Sequence, residues 1–157
     1  AVGRISARGD PGALRAVRAR LGDADEDVRH FAAWAVGQVA EAGDDASLQA
    51  MVACFRDADP DVRQAAVWAA GRIATKGDKH AVAAIGSCLG DADHGVRQAA
   101  TWAVGKAATG RDEQALAALT TRLQDADEGV RRLARRALRR LRGQGRRRRC
   151  GPPAERA

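Results

Sequence analysis

Apolar residues recur along this chain at the spacing of amphipathic helices. Leu116, Leu119 and Leu123 stand at i, i+3 and i+7, which places them on one helix face. A second kind of segment carries a stripe at i, i+4, i+7 and i+11. Its members in one segment are Val62, Ala66, Ala69 and Ile73. No alternation of β-branched and polar residues interrupts these segments, so the pattern predicts an all-α fold.

The two patterns alternate with a period of 34 residues, without one insertion or deletion. The triplet Asp-Ala-Asp marks the period, beginning at Asp23, Asp57, Asp91 and Asp125. In register, the units are residues 7–40, 41–74, 75–108 and 109–142. A chain that repeats in this way is expected to stack its units as a solenoid, because each helical hairpin buries its apolar face only against its neighbours.

Residues before and after the four units have different characters. Residues 1–6, Ala-Val-Gly-Arg-Ile-Ser, match the last six columns of a unit, Ala-Val-Gly-Gln-Val-Ala at 35–40. We therefore expect them to end a truncated preceding repeat of a longer array. Residues 143–157 are rich in Gly, Pro and Arg, which predicts a disordered tail.

Aspartates and glycines mark where the helices begin and where the units turn. Asp10 precedes Pro11 and Asp59 precedes Pro60, a pairing typical of a helix cap and first turn. Three units open with a glycine at a position where a positive φ costs little. These glycines are Gly9, Gly43 and Gly77.

The second half of each unit carries a specific motif, D-x-D-x-x-V-R-x-x-A-x-x-A-x-G-x-I/V. It recurs over residues 7–142 and resembles HEAT repeats, which are armadillo-like, especially the short subclass of phycobilisome lyases. The resemblance implies a right-handed α-solenoid whose second helices line the inner, concave surface. It also implies a structural ladder between the Asp before each second helix and the Arg after the Val. By match, the ladder residues are Asp25, Arg29, Asp59, Arg63, Asp93, Arg97, Asp127 and Arg131.

Three of the five aromatic residues in the chain share one column, Trp34, Trp68 and Trp102. This column lies about 120° from the apolar stripe on a helical wheel. Two interpretations are open. Each indole could pack across the seam between units, or the tryptophans could form a ladder, at least half exposed, that anchors a partner.

Two further columns flank the tryptophans. A polar column is expected to be exposed and to supply hydrogen bonds to a partner; it contains His30, Gln64, Gln98 and Arg132. A glycine column, three residues after each Trp, is expected to leave space beside the ring; it contains Gly37, Gly71 and Gly105.

Charge is distributed unevenly. Residues 1–130 hold 15 Lys and Arg against 19 Asp and Glu, whereas residues 131–157 hold 12 Arg against one Glu. In the fourth unit the Trp column becomes Arg136 and the Gly column Arg139, which with Arg132 and Arg140 predicts a basic terminal cap. This cap could be simply solvated, or could contact an acidic protein surface, RNA or anionic lipid, or serve as a nuclear localisation signal. No aromatic residue is interleaved, so RNA binding would be non-specific.

Residues with catalytic or metal-binding chemistry do not converge. The three histidines fall in three different columns, so neither a catalytic residue nor a metal or other cofactor is expected. Cys54 and Cys88 share a column beside apolar residues, which predicts buried thiols rather than a disulfide. This usage favours a reducing compartment such as the cytoplasm or a plastid.

Three functional hypotheses remain. The first is a non-catalytic scaffold, or a peripheral subunit of a larger protein assembly, that binds through the Trp-bearing surface and the basic cap. The second, which rests on the resemblance, is a bilin lyase or chaperone-like factor acting on a light-harvesting antenna protein. The third and weakest is non-specific association of the Arg-rich end with RNA or an anionic surface.

Overall fold

The computed structural model describes residues 8–147, so the expectations for residues 1–6 and 148–157 lie outside the described part of the chain. The described residues form α-helices and short 3-10 turns, and no strand. The helices are α1 Pro11–Arg18, α2 Glu26–Val39, α3 Asp45–Ala53, α4 Pro60–Ile73, α5 Lys79–Gly86, α6 His94–Ala107, α7 Glu113–Thr121 and α8 Glu128–Arg147. The 3-10 turns are Cys54–Arg56, Ser87–Gly90 and Arg122–Gln124. The prediction of an all-α solenoid is confirmed.

Each unit is a hairpin of one shorter and one longer helix. The second helices α2, α4, α6 and α8 pack against one another in chain order, and each first helix packs on the second helix of its own unit. The stripe predicted from the sequence, from Val62 to Ile73, is completely buried. The first helices contribute larger side chains from one column, and Met51, Ile85 and Leu119 are fully buried. The core is therefore continuous from unit to unit, with small residues where the second helices meet.

Capping and turn chemistry follow the sequence prediction. Asp59 Oδ1 accepts hydrogen bonds from the amides of Asp61 at 2.9 Å and Val62 at 3.1 Å, at the start of α4. The three turn glycines have φ values of +79°, +85° and +89°. Each donates its N–H to the last residue of the second helix of its unit; Gly43 N, for example, lies 2.8 Å from Ile73 O. These glycines therefore permit a turn that also ties the start of each unit to the end of its second helix.

The ion-pair ladder between units uses a different aspartate from the one that the resemblance implied. Arg63 Nε and Nη2 each lie 2.9 Å from a carboxylate oxygen of Asp91, and Arg63 Nη1 also donates to Asp57 O and Ala58 O of its own unit. The arginine thus joins the loop of one unit to the loop of the next. The full ladder is Arg29–Asp57, Arg63–Asp91 and Arg97–Asp125.

The assignment of the second aspartate of each triplet to this ladder was therefore wrong. Those carboxylates accept bonds from helix amides, since they stand at the N-cap. The first aspartate stands two residues earlier, outside the cap, where its carboxylate meets the arginine of the preceding unit. The aspartates wrongly assigned to the ladder are Asp25, Asp59, Asp93 and Asp127, whereas the assignment of Arg29, Arg63 and Arg97 holds. Arg131 keeps only the bonds to Asp125 O and Ala126 O of its own unit and pairs with no aspartate among the described residues.

The C-terminal helix is longer than the unit boundary predicted. Helix α8 continues to Arg147, so residues 143–147 are helical rather than part of a disordered tail. Gly143 and Gly145 are poor helix formers, but Gln144 and the arginines are good ones, and the first helix-breaking proline comes only at Pro152. Among the helices of residues 8–147, none has the length and apolar character needed to cross a bilayer.

Candidate partner-binding groove

The second helices form a groove that crosses all four units and has a volume of about 760 Å³. We call it the tryptophan groove. Its lining residues are His30, Trp34, Asp61, Gln64, Ala65, Trp68, Gln98, Ala99, Trp102 and Leu133. It brings together six residues that the Trp and polar columns predicted. Sequence reasoning missed Asp61 and the column of Ala65, Ala99 and Leu133, although that column stands three residues before the Trp column and shares its helix face.

The indoles fill the spaces that the glycine column leaves. A Cβ added to Gly37 would lie 2.8 Å from Cζ3 of Trp68, and one added to Gly71 would lie 2.9 Å from Cζ3 of Trp102. The ring beside each glycine therefore comes from the following unit and not from its own. The backbones also approach closely there, because the same Cβ on Gly71 would lie 2.5 Å from the Cβ of Ala103.

Burial decides between the two interpretations of the tryptophans. Trp68 and Trp102 are partly buried and pack against the core, as seam packing predicts. Trp34 is 48% exposed, and the glycine in register with it, Gly3, lies outside the described residues. The interpretation that all three tryptophans are at least half exposed is therefore wrong. Each indole nevertheless keeps a surface in the groove.

Positive side chains lie over two of the indoles. The guanidinium carbon of Arg72 is 5.0 Å from the ring centre of Trp68, and Lys106 Nζ is 5.5 Å from that of Trp102. Both distances suit a cation–π contact. The two cations occupy one column, four residues after each tryptophan, and Arg140 continues it in the fourth unit. We call Arg72, Lys106 and Arg140 the cation row. The i, i+4 spacing to the tryptophans was the signal that sequence reasoning overlooked.

The cation row has a structural role at the ends of the second helices. Lys106 Nζ donates to Gly71 O at 2.9 Å and to Arg72 O at 3.4 Å, in the last turn of α4. A cation is favoured there, where carbonyls lack helical partners. The pKa of Lys106 is lowered, mainly by burial and to a smaller extent by the positive charges of Arg72, Arg140 and Arg8. Arg72 Nε is buried and has no hydrogen-bond partner among the described residues.

The polar column contacts the next unit as well as the groove. Gln98 Nε2 donates to Oδ1 of the capping Asp127 at 2.9 Å, and Gln64 Oε1 lies against Gly95. The expectation of exposure holds for Gln64 and for Arg132, whereas His30 and Gln98 are partly buried. Bonding to the next helix start explains the burial of Gln98.

The basic cap is a solvent-exposed face of α8. Arg132, Arg136, Arg139 and Arg140 are all exposed, and none takes part in an ion pair within the described residues. None of them lines the groove, to which the fourth unit contributes Leu133. The cap and the groove are thus adjacent surfaces of the same set of helices.

Nucleophilic and metal-ligating residues do not form a second site. Over residues 8–147, no group of three or more His, Cys, Asp or Glu side chains is placed to hold a metal ion. Cys54 and Cys88 are buried free thiols, as predicted, and burial raises the pKa of each. A raised thiol pKa disfavours the reactive thiolate, so these residues serve packing.

Comparisons with known proteins agree on the architecture. A designed armadillo repeat protein in complex with the peptide (KR)4 is 27% identical, with a TM-score of 0.68 over 83% of this chain. This chain spans 64% of the length of that protein. The complex of CpcE and CpcF of phycocyanin lyase from Nostoc sp. is 19% identical, with a TM-score of 0.60 over 92% of this chain and 71% of that one. No curated protein matches the sequence.

The sequence match to a family is extensive. The profile described as HEAT repeats matches residues 1–71 and 48–139, which together cover most of the chain. The matched regions include the whole second-helix motif of the first three units, most of that of the fourth, and the residues of the ion-pair ladder. On this match and on the stacked hairpins described above, the chain belongs to the HEAT-repeat family.

Proposed function

We propose that this protein is a non-catalytic scaffold that holds an extended segment of a partner protein in the tryptophan groove and makes a second contact through the basic cap. One observation carries the proposal. The second helices of all four units line one groove, and in the second and third units the same three columns supply indole, amide and small apolar groups, so its surface repeats along its length. Such a surface suits a peptide, whose groups also repeat along its length.

The chemistry of the lining supports binding as well as packing. Tryptophan gives large contact area with little loss of conformational freedom, and it is enriched among residues that dominate interfaces. Trp34 has the most exposed indole of the three, and Gln64 beside the groove is exposed. The likeness to a designed armadillo protein in complex with a peptide adds support, since that relative has the same architecture and is 27% identical.

Intrinsic fluorescence provides a direct test, because all three tryptophans line the groove and the chain has no tyrosine. Eight-residue peptides selected from a random display library on the folded protein should change its emission on titration. Trp34→Ala should weaken binding by about 1–3 kcal/mol, as truncation of an anchoring side chain does. Gln49→Ala, an exposed change on the first helix α3, is the matched control and should leave the affinity unchanged.

Trp68→Ala should weaken binding by a similar amount, about 1–3 kcal/mol, but it also removes the ring packed against Gly37. Its thermal unfolding must therefore be measured beside its affinity. Peptides that bind Trp34→Ala and Trp68→Ala as tightly as the original protein, with both variants folded, would show that the indoles serve packing alone.

The lyase hypothesis is tested by a separate assay of bilin attachment. The likeness to the phycocyanin lyase complex, at 19% identity, concerns the fold. Incubation of the protein with a bilin and an antenna apoprotein should give no covalent pigment attachment. Transfer of the bilin would replace the scaffold proposal with a lyase.

A further inference from the structure

Positive side chains contact two of the indoles of the tryptophan groove, although they are not among the residues that line it. Arg72 and Lys106 stand over the faces of Trp68 and Trp102, and Arg140 extends the cation row onto the basic cap. The row is parallel to the indoles because both columns repeat every 34 residues and lie one helical turn apart. A ligand lying along the indoles therefore lies beside the cations as well.

These cations are not compensated by neighbouring carboxylates. The ion pairs of the described residues join Arg20, Arg29, Arg63, Arg97 or Arg122 to aspartates, and none includes a member of the cation row. Burial lowers the pKa of Lys106, and the nearby positive charges of Arg72, Arg140 and Arg8 lower it further. Among the groove-lining residues the one carboxylate is Asp61. An anionic ligand would offset the positive charge of these side chains.

The spacing of the row suits the side chains of an extended peptide. Packed helices lie about 8–10 Å apart, and an extended chain advances about 3.3 Å per residue. Successive cations would therefore meet peptide side chains two or three residues apart. Between them, side chains pointing to the indoles would be apolar.

We propose that the tryptophan groove selects acidic peptide segments, in which carboxylate side chains two or three residues apart meet the cation row while apolar side chains lie against the indoles. This inference rests on the proposed function and adds the charge of the ligand. It also separates this chain from the designed armadillo protein above, whose peptide, (KR)4, is positively charged.

The test compares three fluorescently labelled peptides of equal length: (Leu-Glu)4, its neutral counterpart (Leu-Gln)4, and (KR)4. Anisotropy titration at low salt should give the tightest binding for (Leu-Glu)4, roughly fivefold or more over (Leu-Gln)4. The difference should shrink as salt is raised, because screened charges contribute less. Arg72→Gln and Arg140→Gln should each reduce the preference. Arg140 is exposed, so its variant does not endanger the fold.

A matched control removes the same charge elsewhere. Arg56 is exposed on the 3-10 turn after α3, away from the groove, and Arg56→Gln should keep the full preference for the acidic peptide. If Arg56→Gln and Arg140→Gln reduced the preference for the acidic peptide equally, the net charge of the protein alone would explain that preference, and the inference would be overturned.

The remaining outcomes distinguish the inference from the proposal beneath it. Tighter binding of (KR)4, or equal binding of the acidic and neutral peptides, would overturn the charge selection and leave a peptide groove. Absence of binding by all three peptides, together with failure of the library selection, would remove the groove function itself. Displacement of bound (Leu-Glu)4 by a single-stranded RNA of equal charge at lower concentration would assign the cation row to nucleic acid instead.

Discussion

The ion-pair ladder gives the sharpest stability prediction, and Asp91→Ala is the change that tests it. The Asp91 carboxylate accepts two bonds of 2.9 Å from Arg63, and the two side chains are only 14% and 16% exposed. It also accepts a turn bond from the amide of Asp93. Breaking a buried pair by removing one partner costs about 3–5 kcal/mol. We expect about 4 kcal/mol here, because Arg63 keeps its bonds to two backbone carbonyls.

The chain contains a matched control for this change. Asp23 holds the same column in the first unit and accepts the same turn bond, from Asp25 N at 3.1 Å. Its ion pair, however, is a long and exposed one of 3.8 Å with Arg20. Asp23→Ala should therefore cost only about 1 kcal/mol, the worth of one turn bond. The difference between the two variants, about 3 kcal/mol, isolates the contact between units.

Urea unfolding followed by far-UV circular dichroism measures both variants, with the free energy taken by linear extrapolation. A double-mutant cycle with Arg63→Ala should recover most of the difference as coupling energy. Equal losses for Asp91→Ala and Asp23→Ala, or a coupling near zero, would refute the conclusion that the ladder stabilises the stack.

Three further predictions concern packing, pH and thiol reactivity. Gly71→Ala should lower stability by about 1–3 kcal/mol, because its Cβ would overlap the next unit. A Cβ added at Gly86 has no atom within 4 Å, so Gly86→Ala should raise stability by about 0.4–1 kcal/mol. Thermal melts that rank the two variants in the opposite order would contradict this prediction. The hydrogen bond from Arg63 lowers the pKa of Asp91. The ionised Asp91 therefore contributes its full share of the unfolding free energy above a pH of about 4, and this share is lost as the pH falls through the folded pKa. Urea midpoints that stay constant from pH 6 to pH 2 would contradict this prediction. In a Cys150→Ser variant, Cys54 and Cys88 should react with a thiol reagent only on unfolding, since both are buried; prompt labelling of the folded protein would show otherwise.

Local chemistry made much of the fold readable from the sequence. The apolar stripes give the helices, the capping aspartates give their starts, and the glycines at positive φ give the turns. Each of these depends on residues within a few positions of one another, so periodicity is enough to find them. The strict 34-residue register then fixes the order of the hairpins, because an exact repeat can bury its apolar faces only by stacking.

The contacts between units could not be predicted from the periodicity of the sequence. Asp57 and Asp59 look alike in the sequence, yet one caps α4 and the other pairs with Arg29 of the preceding unit. Likewise, the sequence columns indicated that an indole lies near each glycine, but not that the ring beside Gly37 is Trp68 of the next unit.

The sequence by itself therefore determined the hairpin, its period and the columns that face together. The tertiary structure decided which columns of neighbouring units touch, and with it the ladder partners, the burial of the indoles and the contacts of the cation row. The physical reason is that the shift and rotation between stacked units arise from close packing of side chains across the seam. That geometry is a property of two units together and is not encoded in the periodicity of either one.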